Sequence, residues 1–486
     1  MTVSSASSNK TQKKKNKFDT ALCDNKMTFH DCELSILRHA VDNIEKQEME
    51  RKVNSDDVVK MIAILEKFLR RKKCICYGGT AINNILPEQA RFYDKTLEIP
   101  DYDFYSPDAL ADAKELADNY KEAGFSDIEA KSGVHHGTFK VFVNYTPIAD
   151  ITYLHPVIYK SILKDAIRID GINYAPPDFL RMGMYLELSR PAGDVSRWEK
   201  VLKRLTLLNA HYPLKLSGKC SAGDFGHKKT KLSQMYFEVR DAFIDQGVVF
   251  IGGYASRLYS RYAPDSQKTT LKSIPDFDVL SETPGKCAAA IVERLTNAKF
   301  AQVRKVAHPP IGEIVPEAIE IRVGNESVAF IYKPVACHNY NVIEVKNRKI
   351  KVATIDTMMS FYLAFYYADK SPDYKRRILC LSKYLFEIEQ KNRLVQNGAL
   401  KRFSVSCYGK QPTLETMRAE RMAKFEELKD RRGTPDFEMW FLNYNPHNKT
   451  QPKMNDKRNK TVRRKLSKLS ETRAPSENDT GFLVNY

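Results

Sequence analysis

Three aspartates in the first third of the chain could bind divalent metal ions. Asp101 and Asp103 stand two positions apart in the segment IPDYDFYS, so on a β-strand both carboxylates project from one face. Two adjacent anions repel each other, and Mg²⁺, which binds hard oxygen ligands, removes that repulsion. Asp150 lies in the apolar segment IADITYL, where a buried acid needs a partner, and it is the natural third ligand. An Asp-x-Asp pattern alone is more often a solvated turn, so the metal interpretation depends on what surrounds it.

A glycine pair upstream supplies the second part of a candidate site. Gly78 and Gly79 follow the apolar segment CICY and precede a helical pattern, which predicts a strand, a tight turn and a helix start. Backbone N–H groups at such a start point toward an anion such as a triphosphate, and Thr80 adds a hydroxyl. The alternative is an ordinary tight turn that uses positive φ. Arg190, in the loop segment SRPAGD, is the preferred further cation for the triphosphate, whereas Arg197 on the next helix is assigned to a solvated basic face.

An internal repeat places these residues in a larger architecture. Residues 55–86 resemble residues 231–259, and in each copy an amphipathic helix leads to a short apolar strand, two glycines and a second helix. IPDYDFYS (99–106) matches IPDFDVLS (274–281), and FKVFVNYTPIADITYL matches IEIRVGNESVAFIYKP at a shift of 180 residues. Landmarks in the same order at nearly constant offset predict two tandem α/β (α+β) units, each built on a mixed sheet.

The second copy lacks one of the three carboxylates. Asp276 and Asp278 occupy the positions of Asp101 and Asp103, but the 180-residue shift places Phe330 opposite Asp150. A phenyl ring can neither hold a cation nor orient a hydroxyl. Our hypothesis is that the second unit is catalytically inactive and is retained for architecture, RNA contact or dimer formation.

Composition and charge exclude a disordered or fibrous protein and indicate the kind of partner. A chain of 486 residues with 42% apolar and 28% charged residues is long enough for two or three globular domains. Its net charge of +18 indicates a polyanionic partner such as nucleic acid. Much of that charge lies in two basic tails: residues 1–18 carry five lysines and no acid, and residues 449–473 carry ten Lys or Arg against two acids. The basic tails could bind RNA, or act as a localisation or packaging signal.

The remaining sequence patterns indicate the cellular compartment of the protein and the boundaries of its domains. Nine cysteines without a C-x-x-C pair or a Cys/His cluster favour reduced, buried thiols, and neither a secretory signal nor a membrane-spanning stretch is apparent. A soluble protein of a cytosol-like compartment is therefore expected. The expected organisation is a disordered basic tail (1–25), an active unit (26–215), a linker (216–231), a degenerate unit with C-terminal helices (232–440) and a second disordered basic tail (441–486).

Taken together, the motifs resemble the nucleotidyltransferase superfamily of the polymerase-beta type. Its pattern is a Gly-Gly or Gly-Ser turn, an h-D-h-D-h strand and a third carboxylate on a later strand, although the 21 residues between Gly79 and Asp101 exceed the usual spacing. KKCICYGGTAINNIL, PDYDFYSPDALADAKELADNY and VHHGTFKVFVNYTPIADITYL resemble the catalytic subunits of viral poly(A) polymerases of nucleocytoplasmic large DNA viruses, of the giant-virus, African swine fever virus and poxvirus type. The resemblance is strongest over residues 60–215.

The resemblance implies a template-independent poly(A) polymerase that adds AMP from ATP to RNA 3′ ends, as in viral mRNA polyadenylation. It implies that Asp101 and Asp103 contact two Mg²⁺ (or Mn²⁺) ions, that Asp150 holds the ion activating the primer hydroxyl, and that pyrophosphate leaves toward Gly78, Gly79 and Thr80. It further implies the host cytoplasm (viral factory) and the virion as locations, and a homodimer rather than a complex with a separate processivity subunit. Two alternatives stay open: a transferase of different nucleotide or acceptor specificity, and a non-enzymatic RNA-binding scaffold with relic units.

Overall fold

The structure is a computed structural model, and it describes residues 22–24, 26–94, 96–216, 218, 220, 234–263, 277–368 and 371–448. These residues divide into two compact units. The smaller comprises the described residues up to 63 together with 93–100, and the larger comprises residues 64–92 and those from 101 onward. Residues 1–21 and 449–486, which hold the basic stretches of the two predicted tails, and Asp276 lie outside the described residues.

The smaller unit is helical. Helix α1 (Phe29–Val53) begins at Thr28, whose hydroxyl accepts a hydrogen bond from the backbone N–H of Asp31 at 3.2 Å. No residue of α1 is buried. Helix α2 (Asp56–Lys72) begins in this unit and continues into the larger one.

The larger unit contains two eight-stranded mixed sheets. The first has the strand order β16-β3-β4-β5-β2-β1-β7-β6. Its strands are β1 (Ile75–Tyr77), β2 (Tyr102–Ser106), β3 (Ile128–Ser132), β4 (Thr138–Val143), β5 (Thr146–Tyr153), β6 (Ile167–Ile169), β7 (Ile172–Tyr174) and β16 (Asn443–Tyr444). The helices along this stretch are α3 (Gly78–Ile85), α4 (Ala109–Glu122), α5 (Pro156–Lys164), α6 (Pro177–Leu188) and α7 (Trp198–His211).

The second sheet has the order β10-β11-β12-β9-β8-β14-β13-β15. Its strands are β8 (Val249–Ile251), β9 (Phe277–Leu280), β10 (Val303–His308), β11 (Ala318–Val323), β12 (Glu326–Tyr332), β13 (His338–Val345), β14 (Arg348–Ala353) and β15 (Cys407–Tyr408). The helices are α8 (Gln234–Asp245), α9 (Gly252–Tyr259), α10 (Pro284–Asn297), α11 (Ile355–Tyr366), α12 (Pro372–Lys391), α13 (Leu414–Leu428) and α14 (Pro435–Phe441). Seven strands follow one order in both sheets, so the mixed α/β fold built on an internal repeat is confirmed. The two repeats, on which the first and the second sheet are built, are called the first unit and the second unit.

Alternation along the strands explains where the core of the first sheet lies. Burial in β2 and β4 switches with every residue, because successive side chains point to opposite faces. Phe104, Phe139 and Val141 are fully buried on one face. The opposite face of the same strands carries the less buried side chains, Asp103 and Lys140 among them.

A buried ion cluster joins α11 and α12 to the segment that follows them. Asp356 is 0% exposed and accepts hydrogen bonds from Nε and Nη2 of Arg402, the shortest at 2.7 Å. Nη1 of Arg402 pairs with Glu389 at 2.7 Å. One guanidinium thus compensates two carboxylates, a set that is costly to break because any member left alone is a buried charge.

The C-terminal residues return to the first sheet. Strand β16 pairs antiparallel with β3, and the hydroxyl of Tyr444 donates to Oδ1 of Asp118 on α4 at 2.7 Å. The described residues from 441 to 448, which the sequence analysis assigned to the C-terminal tail, therefore include structured backbone. The expected tail boundary at 441 lies too early, because a two-residue strand has no periodicity that a sequence pattern can show.

The cysteines differ from the expectation of reduced thiols. Three pairs form disulfides, Cys23–Cys32, Cys220–Cys380 and Cys337–Cys407, and the buried cysteines Cys74, Cys76 and Cys287 are free. Two of the pairs join positions 70 and 160 residues apart, which no local spacing reveals. Among the described residues, no helix is both long and apolar enough to cross a membrane.

Candidate active site

The glycine turn is built around an aspartate. Gly78 follows β1, opens α3 and has φ +72°, a conformation that L side chains rarely adopt. A Cβ atom on Gly78 would lie 2.5 Å from Oδ2 of Asp103, so the carboxylate packs directly against this residue. Tyr77, the residue that caps α3, makes no side-chain capping hydrogen bond. The first N–H groups of α3 thus lie at the turn without a side-chain cap, as the sequence predicts for an anion site.

The structure brings the three predicted carboxylates to neighbouring strands. Asp101 immediately precedes β2, and Asp103 within β2 is the register partner of Asp150 on the parallel strand β5. Burial, then the negative charges of Asp101 and Asp150, raise the pKa of Asp103 to about 7. Burial, then the charge of Asp150, also raises the pKa of Asp101. Each side chain therefore lies within electrostatic range of the other two.

A lysine that the sequence analysis did not select completes this cluster. Lys140 on β4 is the register partner of Asp150 on the antiparallel strand β5, and its ammonium forms an ion pair with Asp150. The positive charge of Lys140 partly opposes the rise in the pKa of both Asp101 and Asp103. The two-residue turn Asn144–Tyr145, with φ +47° and +62°, would by itself set residue 140 opposite residue 149, and a β-bulge between Val141 and Phe142 shifts the register by one so that Lys140 lies opposite Asp150.

The donor chemistry of the cluster fits a hard divalent cation. Among the described residues, no three Asp, Glu, His or Cys side chains already converge as a set of metal ligands, and Asp150 is instead paired with Lys140. The three carboxylates are nevertheless partly buried, mutually repulsive and supplied by adjacent strand positions. Such anions are relieved by Mg²⁺ or Mn²⁺, which take carboxylate oxygens and keep other positions for water or phosphate.

Thr80 and Arg190, two further predicted site residues, differ in what they do. Thr80 is 4% exposed, and its hydroxyl donates to the carbonyl oxygen of Asp101 at 2.6 Å, which ties the start of α3 to the start of β2. Arg190 lies beside Glu187 and Glu313, and burial lowers its pKa to about 10. Its Nε atom is buried and has no acceptor within the described part of the chain.

Arg197 is a second cation, besides Lys140, that the structure places near the aspartates. Its positive charge partly opposes the rise in the pKa of Asp103, and its Nε atom pairs with Glu187 at 2.9 Å. More than half of its side chain is exposed, so the guanidinium is available to solvent. The sequence predicts a solvated basic face for Arg197. Helical periodicity does not show that this face lies near Asp103 on β2.

The second unit has the same backbone plan without the carboxylate set. Gly252 has φ +69° and lies against Asp278 as Gly78 lies against Asp103. The register partner of Asp278 is Phe330, the position that Asp150 holds in the first unit. The side chain of Asp278 is instead hydrogen-bonded by the hydroxyl of Tyr332, which is 8% exposed.

Comparison with known proteins gives matches to one kind of protein. Residues 63–194 match the family model described as "Poly(A) polymerase catalytic subunit". The "Putative poly(A) polymerase catalytic subunit" of African swine fever virus (isolate Tick/Malawi/Lil 20-1/1983) is 30% identical over 181 residues, which is 35% of this chain and 38% of the relative. The protein of the same description from Acanthamoeba polyphaga mimivirus is 32% identical over 161 residues, 32% of this chain and 26% of that relative.

One solved structure extends the comparison to nearly the whole chain. The crystal structure of the Megavirus polyadenylate synthase superposes with a TM-score of 0.74 at 17% identity, covering 92% of this chain and 92% of that one. The matched region spans little more than a third of the length of the African swine fever virus relative. Residues 63–194 are thus similar to poly(A) polymerase catalytic subunits, and the chain shares its fold with the Megavirus polyadenylate synthase.

Proposed function

We propose that the protein is a template-independent poly(A) polymerase that transfers AMP from ATP to the 3′ end of RNA. The observation that carries the proposal is the cluster of Asp101, Asp103 and Asp150 beside the Gly78 turn, inside the segment that matches the family model. Relatives named as putative poly(A) polymerase catalytic subunits are about 30% identical to part of this chain. A solved polyadenylate synthase shares the fold.

The three aspartates would hold the divalent ions. When bound, such ions stabilise both the attacking and the leaving oxygens of an in-line displacement at phosphorus. The chain's own residues supply the rest: Gly78 lets the turn pack directly against Asp103, and the N–H groups at the start of α3 would face the phosphates. Thr80 fixes the backbone of Asp101 and so helps to set the spacing between α3 and β2.

Two arginines are candidates for the triphosphate. Arg190 stays a proposal from the sequence, and the buried Nε atom without an acceptor supports it, since such a group gains most from a bound anion. Arg197 is exposed and near Asp103, which supports a contact with a phosphate closer to the aspartates. Arg190→Ala and Arg197→Ala should each raise the KM for ATP, and an unchanged KM would remove that residue from the site.

The direct test is an extension assay. The purified chain is incubated with a short RNA, Mg²⁺ or Mn²⁺ and each of the four nucleotides in turn, and products are resolved on a sequencing gel. We expect long products when ATP is the nucleotide supplied, and none with the other three nucleotides. Equal extension with another nucleotide would support a transferase of different specificity, and no extension across metals and primers would support a non-enzymatic RNA-binding scaffold.

The proposal extends to the partners and the location of the protein. We propose a homodimer, RNA contact through the basic tails, and activity in the viral factory with packaging into the virion. Light scattering at several protein concentrations tests the dimer. A constant mass equal to one chain would contradict it.

A further inference from the structure

The side chain of Lys140 is well placed to change partners. It forms an ion pair with Asp150 across two antiparallel strands, with 39% of the lysine side chain and 20% of the aspartate side chain exposed. Its charge also acts on Asp101 and Asp103. Because a lysine ammonium is a compact charge on a flexible stem, it can swing into solvent without a change in the backbone.

The second unit provides an internal comparison at the same two positions. The register partners Lys140 and Asp150 correspond to Glu320 and Phe330, which are also register partners on β11 and β12. Glu320 pairs with His308 at 2.9 Å rather than with a neighbouring lysine. The lysine is thus present in the unit that has the third carboxylate and absent from the unit that lacks it.

An ammonium and a dication compete for the same carboxylate. Asp150 would bind a divalent ion through its carboxylate, of which one oxygen is paired with Lys140, and two cations a few ångströms apart repel each other. We propose that Lys140 is a resident counter-ion of Asp150, which stabilises the carboxylate cluster before metal binding and is displaced when a divalent ion binds. The role deepens the proposed function and rests on it, because it requires the aspartates to be the metal site.

The test measures Mn²⁺ affinity rather than turnover. Full-length wild type, Lys140→Met and Lys140→Arg are titrated with Mn²⁺ alone at low ionic strength, and free ion is followed by electron paramagnetic resonance. Lys131→Met is the matched control, because Lys131 on β3 is the register neighbour of Lys140 but pairs with Glu129 at 2.7 Å. Melting temperatures in EDTA are recorded for every variant.

The proposal predicts changes of opposite sign in the two measurements. Lys140→Met should bind Mn²⁺ about fivefold more tightly, since no ammonium opposes the ion, and should melt at a lower temperature in EDTA. Lys140→Arg should stay within about twofold of wild type, and Lys131→Met should change neither value. An unchanged or weaker Mn²⁺ affinity in Lys140→Met would overturn the role of Lys140.

A further variant separates this failure from failure of the proposed function. Asp150→Asn should lose much of the Mn²⁺ affinity if Asp150 is a ligand. If Asp150→Asn binds Mn²⁺ as wild type does, or wild type binds none, both the metal site and the role of Lys140 are refuted. If Asp150→Asn weakens binding while Lys140→Met leaves it unchanged, only the role of Lys140 fails.

Discussion

The same substitution at two equivalent aspartates should have opposite consequences. Asp103 and Asp278 each pack against a glycine that opens a helix, but Asp103 faces two other aspartates whereas Asp278 receives the hydroxyl of Tyr332. Asp103→Asn should lower kcat by about a hundredfold or more, because stabilisation through a bound metal is worth several kcal/mol. It should also stabilise the metal-free protein. Asp278→Asn should leave kcat nearly unchanged and destabilise the fold by about 1 kcal/mol through a weakened hydrogen bond.

The size of the stabilisation follows from the pKa of Asp103. Burial and the two neighbouring charges raise that pKa from the ordinary 3.8 to about 7, so the folded protein binds the proton more tightly than the unfolded chain. The associated stability is present below pH 3.8 and is lost as pH rises toward 7, at about 1.4 kcal/mol per pH unit. The upper limit is about 4 kcal/mol, and we expect about 1–2 kcal/mol because solvent and the neighbours share the effect.

Urea unfolding in EDTA at several pH values measures this directly. The free energy of unfolding of Asp103→Asn minus that of wild type should be near zero at pH 4, rise through neutrality and become constant above pH 8. Asp278→Asn, measured in parallel, should show no such rise. A pH-independent difference for Asp103→Asn, or a loss of activity in Asp278→Asn comparable to that in Asp103→Asn, would refute the reasoning.

Three further outcomes are expected. Arg402→Met leaves Asp356 and Glu389 as buried carboxylates without their cation, so unfolding in urea should show a loss of about 3–5 kcal/mol; a loss below about 1 kcal/mol would contradict the compensating role of Arg402. His338 is fully buried, and burial, then the charge of Arg190, lowers its pKa to about 3, so wild type should lose stability as pH falls from 6.5 toward 3 while His338→Leu lacks that part of the loss. Deletion of both basic tails should weaken RNA binding and flatten its dependence on salt concentration, whereas an unchanged salt slope would assign the tails to localisation or packaging.

Much of the first unit could be predicted because its signals are local. A glycine pair between an apolar strand and a helical pattern, and two aspartates with strand spacing, are visible within about thirty residues, and the repeat shows them twice. The equivalence of Phe330 with Asp150 was predicted from a constant shift, and the strand registers confirm it. Local pattern and tertiary pairing agree there, which is the condition for a sequence-based prediction to hold.

What the sequence did not reveal depends on contacts between distant segments. The disulfide between Cys220 and Cys380 and the pairing of β16 with β3 join residues more than a hundred positions apart. The nearness of Arg197 to Asp103 depends on how α7 packs, and a helical pattern shows which residues share a face but not what that face meets. The pairing of Lys140 with Asp150 was not predictable from the hairpin turn alone, since a β-bulge between Val141 and Phe142 shifts the register by one residue.

The pairing of β16 with β3 has a consequence for synthesis of the chain. The strand β3 of the first sheet acquires its second neighbour, β16, only when residues 443–444 leave the ribosome, after both repeats have been translated. In a nascent or truncated first repeat, the edge of β3 that faces away from β4 would have unpaired backbone N–H and C=O groups. Such an edge promotes association between chains. Expression of residues 26–215 alone should therefore give aggregates, which a supplied peptide spanning the C-terminal strand would reduce.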